Sequence, residues 1–220
     1  ICFYYERLTH KLILHPGWNG WINVVSFTKD SMGMRAFNSL VLNFTVAILD
    51  FLYKGRDIQR FWVLEEIARA PYFAFMSVLH FRESMGLRGP EHTYLMKEHF
   101  EQTLNETEHL EEMESRGGNQ YWIDRAFARH LVLLYYWIMV IYYTIDPVSA
   151  YDINEKIEYH AAHTYETYLT THPNDAKIVA IRDDELQHAQ ELHVAMEKIN
   201  EITSFRTKTN RESRATTGTF

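Results

Sequence analysis

The stretch "LNETEHLEEM", residues 104–113, places four glutamates and one histidine beside two leucines and a methionine. Such a density of charge is typical of the solvated face of a helix. Glu106 and His109, however, are three positions apart, and this spacing puts both side chains on one helix face, about one turn apart. A carboxylate and an imidazole in this arrangement can bind the same metal ion. One such pair alone is a weak signal, because both residue types are common on helices.

The same Glu-x-x-His spacing recurs at Glu185 and His188, in "DDELQH". A single glutamate precedes each pair: Glu65 lies in the apolar stretch "WVLEEIARAP", and Glu158 lies in "YDINEKIEYH". The order Glu, Glu-x-x-His, Glu, Glu-x-x-His is the ligand set of a carboxylate-bridged di-iron or di-manganese centre in a ferritin-like four-helix bundle. Four carboxylates offset the charge of two divalent ions, and two imidazoles complete the ligand set.

The intervals between these residues allow them to meet at one level of a bundle. The turn "THP" at about residue 172 lies 14 positions after Glu158 and 13 before Glu185. Two antiparallel helices with arms of equal length return to the same level. The break "GLRGPE" lies roughly midway between Glu65 and Glu106, and the interval from Glu106 to Glu158 leaves room for a further helix. The sequence therefore predicts a single metal centre in the middle of the bundle.

The rest of the chain predicts an all-α protein with six helices and no strands. Pro71 lies inside the second helix and is expected to bend it. The stretch after the sixth helix is rich in serine, threonine and basic residues and is predicted to be a tail. The predicted helices span about 34–53, 60–84, 94–115, 124–145, 149–171 and 175–201. The predicted divisions are an N-terminal arm (1–33), a helical domain that carries the metal centre (34–201) and the basic tail (202–220).

Composition excludes several classes of protein. The formal net charge is -7, and no basic stripe precedes the C-terminal tail, so a nucleic-acid-binding protein is not expected. Cys2 is the single cysteine, which excludes a disulfide framework and a zinc ribbon.

Residues 131–145, "LVLLYYWIMVIYYTI", contain no charged side chain. At 1.5 Å per residue they form a helix about 22 Å long, which is shorter than the roughly 30 Å hydrocarbon core of a bilayer. Together with residues 36–53, this segment is therefore predicted to form an apolar plate in one leaflet, which makes the protein monotopic. The alternative is that both segments are core helices of the bundle.

Several stretches resemble the alternative oxidases, and most of all their plastid terminal oxidase (plastoquinol oxidase) branch. The resemblance covers roughly residues 45–195, and the motifs that carry it are "RFWVLEEIARAPYFAFMSVLH", "NETEHL", "GGNQYWIDRAFARH", "HTY" and "IRDDELQH". It implies a membrane-bound quinol oxidase that oxidises plastoquinol (or ubiquinol) and reduces dioxygen to water at two iron ions, without proton pumping. It also implies contact with membrane lipid, a homodimer or association with a membrane complex, and a location on one leaflet of the plastid thylakoid membrane. The mitochondrial inner membrane is the alternative location.

The resemblance also assigns roles to particular residues of this chain. Tyr165 matches the family's tyrosine close to the metals. Arg60 matches its quinol-site arginine, with an ion pair to Asp57 as the alternative role. The six metal ligands fall on Glu65, Glu106, His109, Glu158, Glu185 and His188. The other quinol-site residues would be Leu64, Ala161 and Thr164, and residues contacting the ligands rather than the metals would be Asn105, Asp184 and, at most, His160.

The chain departs from the family in two places. Glu66 stands where the family has threonine, and the connector between Tyr165 and Glu185 is shorter than in the family. Two other functions are compatible with the sequence. One is a different di-iron enzyme, such as a quinone hydroxylase or a desaturase. The other is an oxidase-derived subunit of a larger photosynthetic or respiratory complex.

Overall fold

The computed structural model describes residues 31–217, and the side chains of residues 33–199. Within the described residues it contains six α-helices and no strand, so the predicted fold class is confirmed. Residues 1–30 of the predicted N-terminal arm lie outside the described residues. The helices are Ser31–Leu52 (α1), Asp57–Ser84 (α2), His92–Ser115 (α3), Trp122–Ile145 (α4), Pro147–Leu169 (α5) and Ala176–Thr217 (α6).

The helix ends follow from local sequence. After α3, Gly117 adopts a φ of 81°, a left-handed conformation that costs glycine little, and the N–H of Gly118 donates to Met113 O at 2.9 Å. α2 ends in the same way, with Gly86 at a φ of 73°. These caps place the breaks on either side of α3 and so fix the level of its Glu-x-x-His pair.

The break between α4 and α5 is the predicted Asp146–Pro147 pair. The Asp146 side chain accepts a hydrogen bond from the N–H of Ser149 at 3.1 Å, which caps α5. Pro147 occupies the first position of that helix, where its missing N–H is not needed.

The four helices α2, α3, α5 and α6 form the core of the bundle, while α1 packs on α5 and α4 packs on α2 and α5. Two buried apolar clusters lie at different levels of this bundle. On each of the four core helices, the predicted ligands lie between residues of one cluster and residues of the other. The centre is therefore at mid-bundle, as predicted. The Phe75 cluster includes Tyr72, Phe75, Leu95, Tyr151 and Leu192, and the Phe61 cluster includes Phe61, Met113, Tyr165, Leu169 and Ile178.

The largest difference from the predicted helix boundaries is at the end of α6, and the sequence explains it. α6 continues to Thr217 rather than ending at about 201, because no glycine or proline occurs between Ala176 and Thr217. α4 begins at Trp122, two residues before Asp124. α2 continues through Pro71 as one helix. The division at 202 into a helical domain and a tail stays a prediction.

Within the part of the chain that the structure describes, two segments are long and apolar enough to cross a membrane, Gly33–Leu52 and Trp122–Ile145. Only 11% and 17% of their most apolar stretches are buried against the rest of the protein. Length and composition alone fit a spanning helix, a helix lying in one leaflet, or a core helix of a soluble protein. The large apolar side chains that are exposed within the predicted plate segments, 36–53 and 131–145, are called the apolar plate below: Phe37, Leu40, Phe44, Ile48, Phe51, Leu52, Leu133, Leu134, Trp137, Ile138, Ile141 and Ile145.

Candidate metal centre

The six residues singled out by spacing come together between the two apolar clusters. They form two overlapping groups, and the ligand atoms within each group lie within 4.8 Å of one another. Glu106 and Glu185 belong to both groups, so their position suits carboxylates shared between two metal ions. The first group is Glu65, Glu106, His109 and Glu185, and the second is Glu106, Glu158, Glu185 and His188.

The hydrogen bonding of these side chains is incomplete. All six residues are buried, and together they account for seven of the eleven buried side-chain atoms that lack a hydrogen-bond partner in the described part of the chain. Buried polar atoms in native proteins are nearly always satisfied, because leaving one unpaired costs several kcal/mol. Oxygen and nitrogen lone pairs converging on one space are the donor set that a pair of metal ions requires, so the residues fit a two-metal centre.

The orientation of His109 also suits a metal ligand. Its Nε2 lies 3.1 Å from Asp184 Oδ2, and the Asn105 amide donates to the same oxygen at 3.4 Å. With Nε2–H donating to Asp184, the neutral ring presents the lone pair of Nδ1 to the centre. That Nδ1 lies 3.3 Å from Glu185 Oε1 and 3.6 Å from Glu65 Oε2. Asp184 therefore contacts the predicted ligand His109 directly, and Asn105 contacts Asp184; the role of both residues in the centre stays a prediction.

On the opposite side of the centre, His188 Nδ1 lies 2.8 Å from Glu106 Oε1 but without the alignment of a hydrogen bond. Burial by itself lowers the pKa of His188, yet the contact with Glu106 outweighs it and raises that pKa to about 9.

The electrostatics of the four carboxylates show why cations belong here. Burial raises the pKa of Glu65 to about 7, against the lowering effect of His109. Burial, and then the negative charge of Glu106, raise the pKa values of Glu158 and Glu185 as well. Four adjacent carboxylates in a dry core cannot all ionise unless positive charge is supplied. Two divalent or trivalent ions would supply it.

Two tyrosines donate to the single glutamates. The Tyr165 hydroxyl donates to Glu65 Oε1, and the Tyr72 hydroxyl donates to Glu158 Oε1 at 2.6 Å. Tyr165 is predicted to lie near the metals, whereas neither the spacing argument nor the resemblance assigns a role to Tyr72. The signal that could have found it is a repeated spacing, since each tyrosine follows the single glutamate of its own helix by seven positions.

Among the predicted quinol residues, Arg60 forms an ion pair with Asp50 of α1 at 2.7 Å. The predicted alternative partner, Asp57, was therefore wrong: an α1 side chain reaches Arg60 instead. Thr164 Oγ1 bonds His160 O at 2.9 Å, and the Arg60 charge, after burial, lowers the pKa of His160. Arg60, His160 and Thr164 thus share one region. His160 lies beside Arg60 and bonds none of the ligands described.

Glu66 does not add its charge to the centre. It forms an ion pair with Arg69, and both line a cavity of about 560 Å³ between α2 and α4. Arg129 and Tyr136 line the same cavity from α4, and none of the predicted quinol residues does.

Comparisons with known proteins agree with this geometry. A family model of the alternative oxidases matches residues 26–177, well over half of the chain. The chain is also 43% identical over 144 residues to ubiquinol oxidase 4, chloroplastic/chromoplastic, of Arabidopsis thaliana. This alignment covers 65% of the chain and 40% of the relative, so the chain spans less than half of that protein's length. No solved structure matches the chain.

The family match ends before Glu185 and His188, so the place of this last pair in the centre rests on the geometry above. The family holds two iron ions, and the two overlapping ligand groups can accommodate such a pair, as predicted. The resemblance to plastid terminal oxidases is likewise confirmed. The chain belongs to the alternative oxidase family.

Proposed function

We propose that the protein is a membrane-bound quinol oxidase that oxidises plastoquinol and reduces dioxygen to water without pumping protons. The observation that carries this proposal is the buried set of four carboxylates and two imidazoles in a chain of the alternative oxidase family. Two quinols release four electrons and four protons, which is what one dioxygen molecule needs to become two waters. The relative's name, a ubiquinol oxidase of chloroplasts and chromoplasts, supports this class of reaction and a plastid location.

In this proposal the six clustered residues are the iron ligands. Bound iron supplies electron transfer to dioxygen. The carboxylates neutralise the ions in a core that excludes water, and Asp184 keeps His109 in the tautomer whose Nδ1 faces the centre. Glu65 and His109 would serve one iron, Glu158 and His188 the other, and Glu106 and Glu185 both.

Tyr165 is the proposed catalytic tyrosine. It is fully buried, and its hydroxyl donates to Glu65 beside the centre. A phenol can give one electron and one proton to the reaction and recover both from the next quinol. Substitution by phenylalanine keeps the ring in the Phe61 cluster and removes the hydroxyl alone.

Arg60 is the proposed quinol-orienting residue, with Leu64, Ala161 and Thr164 lining the site. Its guanidinium has five N–H donors. Its Nε is buried without a hydrogen-bond partner, while one terminal nitrogen pairs with Asp50 of α1. Because α1 carries part of the apolar plate, a lipid-dissolved quinol that passes this helix comes within reach of Arg60.

Monotopic attachment through the apolar plate is supported by the way α4 packs. α2 lies alongside α4 over its length, since Arg56 pairs with Asp124 at one end and Arg82 donates to Tyr143 O at the other. A spanning α4 would therefore carry Arg69 and Arg82 of α2 into hydrocarbon, where charged side chains are costly. A helix lying in one leaflet keeps the charged side of the bundle in water.

α1 is fixed to the bundle in the same manner. The buried Asn38 amide donates to Ser149 O and to Asp152 Oδ2, both at 2.9 Å. One side of α1 is thus bound to α5 by polar contacts, and its opposite side carries exposed phenylalanines of the plate.

The proposed partners are plastoquinol (with ubiquinol as the alternative), dioxygen and membrane lipid, on one leaflet of the thylakoid membrane. A homodimer or a larger membrane complex is also proposed. The support for a protein partner is exposed apolar surface outside the plate, at Phe73 and Phe81 of α2 and at Phe100 and Leu104 of α3.

The test is oxygen uptake by the purified chain with a short-chain plastoquinol, together with an iron count and product analysis. We expect two irons per chain, uptake of one dioxygen for two quinols, and water as product. Tyr165→Phe should retain both irons and lose most oxygen uptake. Glu185→Ala, as the metal-depleted control, should lose both.

Each contrary result identifies a different error. A hydroxylated or desaturated product would reassign the chain to another di-iron activity. Two bound irons without oxygen uptake from any quinol would favour an oxidase-derived subunit. Near-normal uptake by Tyr165→Phe would reduce that tyrosine to a packing role.

A further inference from the structure

The two tyrosines at the centre are arranged reciprocally. α2 carries Glu65 and, seven positions later, Tyr72, while α5 carries Glu158 and, seven positions later, Tyr165. Seven steps of about 100° return to nearly the same helix face, so each tyrosine lies about two turns further along its own helix on the same face as its glutamate. Each hydroxyl nevertheless bonds the glutamate of the other helix, Tyr72 to Glu158 and Tyr165 to Glu65.

The two phenols approach the centre from opposite ends. Tyr72 is part of the Phe75 cluster, and Tyr165 is part of the Phe61 cluster. α2 and α5 run in opposite directions between these clusters. The pairs Glu65–Tyr72 and Glu158–Tyr165 are therefore related by an approximate two-fold axis through the centre.

The two carboxylate oxygens of each single glutamate differ in their hydrogen bonding, and the difference is the same in Glu65 and Glu158. In Glu65 and in Glu158, the Oε1 atom accepts from a tyrosine, and the Oε2 atom is buried without a hydrogen-bond partner. In Glu106, which is shared by both ligand groups, both oxygens lack a partner. Each tyrosine thus occupies one oxygen of a single glutamate and leaves the other facing the centre.

We propose that Tyr72 is a positioning residue of the centre, the counterpart of Tyr165, which holds Glu158 so that Oε2 alone faces the second metal. This inference rests on the metal ligands of the proposed function. It gives each half of the centre its own tyrosine, and it assigns a role to a residue whose hydroxyl the catalytic proposal does not use.

In the described part of the structure, the hydrogen bond recorded for the Tyr72 hydroxyl is the one to Glu158. The ring is fully buried, next to Phe75 and stacked on His99. Both nitrogens of His99 are already bonded, to Gln102 at 2.9 Å and to the Tyr151 hydroxyl at 2.7 Å. Packing alone would be served by phenylalanine. The hydroxyl is retained in a dry core because Glu158 accepts its hydrogen bond.

The test compares Tyr72→Phe with Tyr151→Phe. Tyr151 is a matched control because it is equally buried in the same cluster, but its hydroxyl bonds His99 and not a ligand. The readouts are the rate at which a chelator removes each iron and the optical spectrum of the ferric protein, both without quinol. Loss of a hydrogen bond to a metal ligand lowers metal affinity about 10–100-fold.

We expect Tyr72→Phe to release one of its two irons about 10–100-fold faster than the unmodified protein and to show an altered spectrum. Tyr151→Phe should keep the release rate and spectrum of the unmodified protein. Equal release from Tyr72→Phe and the unmodified protein, or an equal acceleration in Tyr151→Phe, would overturn the inference.

A double-mutant cycle with Glu158→Leu, which removes the acceptor oxygens, guards against a general loss of stability. Thermal unfolding of the metal-free proteins should show that the effects of Tyr72→Phe and Glu158→Leu are coupled, and purely additive effects would contradict the pairing. Since none of these readouts is oxygen uptake, the two proposals fail separately. Two irons without oxygen uptake contradict the oxidase alone, whereas normal iron release from Tyr72→Phe contradicts this inference alone.

Discussion

Glu65 and Glu66 are neighbours in the chain but have opposite surroundings. Glu65 is 2% exposed and faces the centre, whereas Glu66 pairs with Arg69 on the side towards α4. One helical step of about 100° separates them. We therefore expect Glu65→Ala to lose iron and Glu66→Thr to keep two irons per chain, as read by elemental analysis. The reverse outcome would mean that the register of α2 is wrong.

His99 should make the stability of the protein depend on pH. Burial lowers its pKa from the ordinary 6.5 to about 4, so the folded protein holds this ring neutral. The contribution of neutral His99 to the free energy of unfolding is present above pH 6.5. It is lost as pH falls from 6.5 towards 4, because His99 binds a proton at a higher pH in the unfolded chain than in the folded protein. The difference between these two pKa values corresponds to about 3 kcal/mol in the free energy of unfolding.

The measurement is the free energy of unfolding of the metal-free protein at several pH values. The groups that contact the His99 ring are Gln102, Tyr151, Tyr72 and Phe75, none of which is charged at these pH values. The unmodified protein should lose about 3 kcal/mol more than His99→Gln between pH 7 and pH 4. Parallel curves for the two proteins would show that His99 is not held neutral.

At the scale of elements, Gly118 determines how closely the end of α3 approaches α2. A Cβ at this position would lie 2.5 Å from the Trp62 Cβ and 2.9 Å from the backbone oxygens of Ile58 and Met113. Neither backbone oxygen can move without shifting its helix. We expect Gly118→Ala to destabilise the protein by about 1–3 kcal/mol, measured by thermal unfolding.

Gly33 provides the matched control, because a Cβ there meets nothing within 4 Å and the residue lies within α1. Gly33→Ala should be neutral or stabilise by up to about 1 kcal/mol, since alanine favours a helix more than glycine. Equal effects of the two substitutions would mean that the contact between α3 and α2 is looser than the structure shows.

At the scale of the whole molecule, the apolar plate should decide membrane binding. Leu134 and Ile141 are both exposed on one face of α4, and replacing both by lysine places two charges in the surface that contacts lipid. We expect the double variant to leave membranes while retaining its helical circular dichroism and two irons.

Sedimentation with membranes provides the measurement. The control variant carries lysines at Leu87 and Leu104, which are similarly exposed but lie outside the plate, and it should stay bound. Extraction of the unmodified protein by salt alone, or continued binding of the Leu134/Ile141 variant, would show that the plate is not the membrane surface.

The sequence by itself determined the fold class and the six clustered residues. Helical periodicity places Glu-x-x-His on one face, and equal arms on either side of a turn bring distant glutamates to one level, so spacing along the chain was sufficient. It also placed the break at Asp146–Pro147, because capping depends on a few adjacent residues.

Only the tertiary structure decided the contacts between helices. Tyr72 and Glu158 are 86 positions apart, His109 and Asp184 are 75 apart, and Arg60 pairs with an aspartate of α1 rather than with Asp57 of its own helix. Spacing along one helix shows which face a side chain occupies but not which neighbour it meets. That depends on how the helices are packed and rotated against each other, which the apolar clusters above and below the centre determine.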